Sequence, residues 1–331
     1  MSVEAVLIKN EEPGVVGDQR PPRRGRFSGW RRGLSGLWQR DAPAVIWAVV
    51  LLLMVLVSAL GPFFLTSPDA IEPANRLMPP SADHPFGTDE YGRDLLSRVV
   101  SAGRVSLGLG ILITVVAVVM GTLVGSVAGF YERSSGVLMR LMDALMAFPA
   151  IVLAIALVIS LRSGIWSEII ALGVVFIPYV ARVVRSRVLT LRERGYVTAA
   201  RAAGVSGPRI LLTHILPNAA PAILVQAVFV YASALLADAA LSFLGLGVQP
   251  PTPTWGNMIG EARTFITLAP GFMIFPGLAI VISVMALNLV GDGARGLIDQ
   301  RARAVLELER VRKKQGKEQR RRRSPAAPAV D

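Results

Sequence analysis

The chain has no cysteine among its 331 residues and only two histidines, His84 and His214. Disulfides, iron–sulfur clusters and thiol chemistry are excluded. The topology derived below puts the two histidines on opposite sides of a membrane, so they do not share a metal site. A G-x-x-x-x-G-K-[ST] phosphate loop is also missing. The one Gly-Lys pair, Gly316-Lys317, is followed by Glu318, so the chain is not expected to bind ATP in that way. No nucleophile–base pair stands out on one face, and the chain reads as non-catalytic. Acidic residues are few, 23 against 35 Lys and Arg, for a net charge of +12. The arginines lie beside apolar segments and no nucleic-acid module accompanies them. The charge therefore reads as membrane topology, with no nucleic-acid partner.

What the chain has in excess is apolar sequence, 53% of residues at a mean hydropathy of +0.52. It gathers in long runs, the mark of an all-α polytopic membrane protein. Six spans of about 20 residues, each long enough for roughly 30 Å of hydrocarbon, are expected near Ala44–Phe64, Val105–Phe130, Val137–Leu161, Glu168–Val184, Ala219–Leu241 and Pro270–Val290. The fourth is the shortest and contains Pro178. Of the 35 Lys and Arg, 29 fall before the first span, around Arg133 and Arg140, between Arg182 and Pro217, or after Gly291. The positive-inside rule then places both termini and the Arg182–Pro217 loop in the cytoplasm.

The expected organisation is an N-terminal cytoplasmic extension over residues 1–42, a transmembrane domain over 43–300 and a basic, disordered cytoplasmic tail over 301–331. In the extension, Phe27, Trp30, Leu34, Leu37 and Trp38 recur at helical spacing between arginines. That pattern predicts an amphipathic helix lying on membrane lipid. Within the spans, Gly121, Gly125 and Gly129 form a ridge of bare backbone for close approach of a helix, from this chain or from a second membrane subunit. Asp143 and Asp238 are carboxylates inside apolar spans. They are candidates for a substrate path, where Asp238 could meet a positive amine, or structural groups held by hydrogen bonds or reached by interfacial water.

Three polar motifs punctuate the spans: HPFGTDEYGRDLLSR at His84–Arg98, YVTAARAAGVSGPRILLTHILPN at Tyr196–Asn218 and LSFLGLGVQPPTPTWGNM at Leu241–Met258. The second is a structured cytoplasmic loop with the look of a docking surface. Its small Ala side chains favour a helix that Gly204 can end in a left-handed turn. Ser206 and Pro208 are placed to start the next helix. Taken in order and by side, the motifs resemble the C-type permease subunit of bacterial dipeptide/oligopeptide/nickel ABC importers, over roughly His84 to Asp299.

That resemblance implies the type I ABC importer permease fold in the bacterial inner membrane. It also implies a homologous second permease, two cytoplasmic ATPase subunits that use ATP and Mg, and an external substrate-binding protein. No cofactor is implied for this chain itself. The family's ATPase-coupling loop, here 185–217, carries Glu-Ala-Ala, a glycine four residues later, and Ile-x-Leu-Pro. Ala199, Ala200, Gly204, Leu216 and Pro217 match it; Thr198 replaces the glutamate and His214 the isoleucine. The implied cargo is a di- or oligopeptide, with a nickel complex as the alternative within the family. A secondary transporter independent of ATP is the alternative of another class.

Overall fold

A computed structural model describes residues 42–296. The N-terminal extension with its expected interfacial helix, and the basic tail, lie outside the described residues. The helices are α1 (Ala42–Leu60), α2 (Leu95–Phe130), α3 (Glu132–Met146), α4 (Ala150–Ser160), α5 (Ile165–Arg192) and α6 (Gly195–Ala202). After them come α7 (Gly207–Phe243), α8 (Trp255–Ala262) and α9 (Gly271–Gly296). An isolated bridge between Thr88 and Asp94 is the one strand-like pairing among the described residues.

Five helices, α1, α2, α5, α7 and α9, are each long and apolar enough to cross a membrane. The third expected span is broken. Its helices α3 and α4 meet at a 93° bend. The break falls at Phe148-Pro149, because a proline ring disfavours helical backbone at the residue before it. Pro149 then stands in extended conformation as the N-cap of α4.

α2 and α5 settle how the bent pair is counted. Gly121 lies against Val180, Gly125 against Val184 and Gly129 against Val188, so the two helices run in the same direction. A chain that leaves one end of α2 and enters α5 at the other must cross back between them. The segment through α3 and α4 makes that return, and the crossings number six.

The α2–α5 contact is close because the ridge has no side chains. A Cβ on Gly121 would lie 2.5 Å from the Val180 Cβ. On Gly125 it would lie 2.5 Å from the Ala181 carbonyl oxygen, and on Gly129 2.7 Å from the Val188 Cβ. The ridge thus serves packing within this chain. α5 is the innermost span, 28 residues long, with Pro178 inside it. The expected span Glu168–Val184 covers only its first part. Pro178 removes one backbone donor without ending the helix, since neighbouring helices hold the ladder in place. The apolar core follows the same contact, with Ile113, Ala117, Leu172, Val180, Val184 and Val188 all buried.

Gly125 meets backbone, which cannot step aside as a side chain does. Gly125→Val is expected to cost about 1–3 kcal/mol by overpacking. Gly136→Ala, at an α3 position with open space around it, is expected to be neutral or stabilising. Thermal unfolding of the purified variants in detergent measures both, and equal midpoints would remove the ridge from its role.

Candidate functional site

At one end of the bundle, α6 and the start of α7 form a helix–turn–helix knob. α6 ends where Gly204 adopts φ +77°, a left-handed conformation that other residues enter only with strain. The Gly204 N–H donates to the Arg201 carbonyl at 3.0 Å and the Val205 N–H to the Ala200 carbonyl at 3.1 Å. These two bonds make a Schellman cap, which satisfies carbonyls the helix end leaves free. A Cβ on Gly204 would meet no atom, so the turn requires glycine for backbone conformation, and the space beside it is open. Ser206 occupies the N-cap position of α7, but its side chain makes no capping bond.

Apolar residues fasten the knob to the bundle. Val197, Ile210, Leu211 and Ile215 are buried in the main core. The opposite face is free: Thr198, Ala199, Gly204 and Pro217 are exposed, while Ala200, His214 and Leu216 are half-buried. The candidate coupling residues therefore divide in two. Thr198, Ala199, Ala200 and Gly204 belong to α6 and its turn. His214, Leu216 and Pro217 sit where α7 widens into a π-turn over Leu211–Ile215. The widening comes directly before Pro217, whose ring would otherwise crowd the Thr213 carbonyl. The His214 carbonyl accepts from Asn218 Nδ2 at 2.6 Å, and Nδ1 of its ring lies 2.7 Å from the Thr213 hydroxyl. Beside α6 opens a cavity of about 560 Å3 lined by Phe130, Tyr131, Glu132, Arg133, Arg192, Glu193 and Arg201.

The first and third motifs meet at the other end and form a cap. Asp89 is fully buried; its Oδ2 lies 2.6 Å from Arg93 Nε and 3.4 Å from Arg98 Nε. Its Oδ1 accepts from the backbone N–H of Tyr91 and of Arg93, each at 2.9 Å. Arg98, 1% exposed, reaches across to Glu261 Oε2 of α8 at 3.1 Å. Burial pushes the Glu261 carboxyl above its ordinary range, against the pull of Arg98 and Arg93. Burial does the same to Glu90. Trp255 Nε1 donates to the Val99 carbonyl at 2.9 Å, and Phe86 stacks on Phe275 of α9 at 3.9 Å. This joint between the two motifs was not read from the sequence, where they are 157 residues apart from His84 to Leu241. The signal available was Arg93, Arg98 and Arg104, three cations spaced along the mouth of an apolar span.

The two span carboxylates have different surroundings. Asp143, on α3, is 59% exposed and pairs with Arg182 of α5 at 2.6 Å. Asp238, near the cap end of α7, is 1% exposed. Its neighbour is a second buried carboxyl, Glu168 in the first turn of α5. The sequence reading placed Glu168 at a span boundary and gave it no role. A smaller cavity of about 340 Å3 is bordered among others by Ser242, whose hydroxyl donates to Asp238, and by Gln249, Asn257, Glu261 and Arg263.

Comparison with known proteins matches residues 103–304 to the model of the binding-protein-dependent transport system inner membrane component family. A putative peptide transport system permease protein of Brucella suis is 46% identical over 254 residues, 76% of this chain and 86% of that one. The dipeptide transport system permease protein of Alkalihalophilus pseudofirmus is 39% identical over 279 residues, 84% and 91% of the two chains. A probable D,D-dipeptide transport system permease protein of Escherichia coli is 36% identical over 298 residues, 89% and 98%.

Removing Arg98 would leave the buried Asp89 with one cation in place of two. Arg98→Met is expected to cost about 3 kcal/mol, the usual scale for breaking a buried ion pair. Arg263→Met, on the exposed side of the same cap, is the reference. Matching unfolding midpoints for the two variants would show that the network does not hold the cap.

Proposed function

Because the chain belongs to the binding-protein-dependent transport system inner membrane component family, we propose that it is one of two permease subunits of an ATP-driven peptide importer. As a member, it is a multi-pass protein of the bacterial inner membrane. In the proposed orientation the knob and both termini face the cytoplasm, in keeping with the charge distribution, and the cap faces outward. The peptide cargo rests on the relatives, each of which carries a peptide or dipeptide transport name.

The observation that carries the reading is the knob itself: a capped helix anchored by buried Val197 and Ile210, with small residues turned outward. Small side chains let a helix enter a groove on a partner. The mixed arginines and glutamates around the adjoining cavity suit a polar partner surface. Two ATPase subunits, which bind ATP and Mg, close and pull on the knob. α7 carries the displacement. It runs unbroken from the knob to the cap over 37 residues, about 55 Å of helix. Its outer end then parts from α5, and the path opens to a loaded binding protein. Nucleotide and cargo drive the cycle only through their different affinities for its two states. Asp238, once uncovered, offers a carboxylate to the peptide's amino terminus, and Asp143 lies toward the exit. Thr198 leaves the knob without the usual glutamate, so docking rests on its backbone, its alanines and the neighbouring arginines.

Gly204→Leu puts a branched side chain into the open space of the turn and strains its backbone. It is expected to abolish ATP-dependent peptide uptake in vesicles while the chain still inserts and folds. Uptake at the unaltered rate would remove the knob from the coupling path.

A further inference from the structure

Glu168 and Asp238 are an unusual pair to find at the contact of α5 and α7. Glu168 is 0% and Asp238 1% exposed. Neither Glu168 carboxyl oxygen has a hydrogen-bond partner, nor does Oδ2 of Asp238. Oδ1 of Asp238 accepts from the Ser242 hydroxyl at 3.4 Å. The two carboxyls are neighbours across the α5–α7 contact. Written as two carboxylates, they have no donor between them.

Among the described residues no cation relieves the pair: Arg162, in the turn before α5, and Arg263, after α8, are both exposed. On α2, Arg98 is engaged by Asp89 and Glu261, and Arg104 is exposed. On α8, Glu261 is turned to Arg98. α4 carries no charged residue. The arginines of α5 and the Arg209 and His214 of α7 lie toward the knob, as do Asp292 and Arg295 of α9. Two buried negative charges without a counter-ion are too costly to persist. One proton between them creates an O–H···O bond and leaves a single charge, and the pair titrates as a unit. The first turn of α5, where Glu168 sits, favours that remaining charge through its free N–H groups.

We infer that Glu168 and Asp238 form a proton-binding site that latches the outer end of α5 to that of α7. The site has a route to solvent. Ser242, which bonds Asp238, also borders the 340 Å3 cavity on the cap side, so the proton exchanges with the outer face. When α5 and α7 part, both carboxyls gain water and the shared proton is released. The closed outer end holds one proton more than the open one. Acid outside the membrane therefore favours closure and alkali favours opening. The latch takes its purpose from the importer reading above, but its test needs neither peptide nor ATP.

The absence of cysteine allows a clean test. Trp166→Cys and Leu244→Cys place spin labels at exposed positions near the outer ends of α5 and α7. The full-length chain, with the subunits that purify with it, is measured in lipid vesicles as the outer pH is raised from about 5 to about 9. The population at long label separation is expected to grow several-fold. Glu168→Gln keeps a donor toward Asp238 without a titrating proton and is expected to stay at the short separation throughout. Asp238→Asn gives the same comparison should Glu168→Gln not assemble. An infrared carbonyl band of a protonated carboxyl is expected in the parent and lost in Glu168→Gln. A separation that ignores pH in the parent, or a Gln variant that titrates like the parent, overturns the latch. A pH response in a protein that imports no peptide would uphold the latch and sink the importer reading.

Discussion

The parallel contact between α2 and α5 is the constraint on which the other features depend. It exists because Gly121, Gly125 and Gly129 leave bare backbone where α5 presents Val180, Ala181, Val184 and Val188. In a membrane, lipid tails compete with any apolar surface, so close approach and dispersion must hold helices together. Once α2 and α5 are parallel, the chain between them must recross, and the bend at Phe148-Pro149 falls within that return.

The same contact separates the two ends of the molecule. Toward one end, the ladder of valines on α5 leads to Val197, Ile210 and Ile215, which seat the knob. At the other, the start of α2 supplies Arg98 and Ser106, which hold α8 through Glu261 and the Trp255 backbone. α7 connects the ends. In the proposed cycle it carries motion from the knob to the cap, and the buried carboxyl pair latches its outer end to α5. In the proposed importer, a packed middle, an anchored knob and outer ends that part would work together as a lever.

Much of this was legible in the sequence because it rests on local rules. The apolar runs gave the crossings, Gly204 announced a left-handed turn, and the glycine spacing of four announced a packed ridge. What the sequence did not disclose is partly local detail and partly a matter of distance along the chain. The break in the third span hinges on one proline inside an apolar run that otherwise reads as continuous. α5 looked short because its last part, from Arg185 to Arg192, is polar in sequence yet still helical. Ser206 stands at a helix start but does not cap it, since sequence gives position and not rotamer. Glu168 looked like a boundary residue because its partner lies 70 positions later. Asp143 and Asp238 read alike as carboxylates in spans, yet one is an exposed ion pair and the other is buried beside an acid.

The reading of the knob as the entry point for energy can be put to one direct measurement. The parent chain has no cysteine, so Ala199→Cys on the exposed face of α6 gives a single attachment point. A short bifunctional reagent at that position should join the chain to a co-purifying ATPase subunit, with a yield that changes when ATP is bound. Efficient labelling of Ala199→Cys in the assembled complex, with no cross-link to an ATPase subunit in any nucleotide state, would mean that the knob is not where the engine docks.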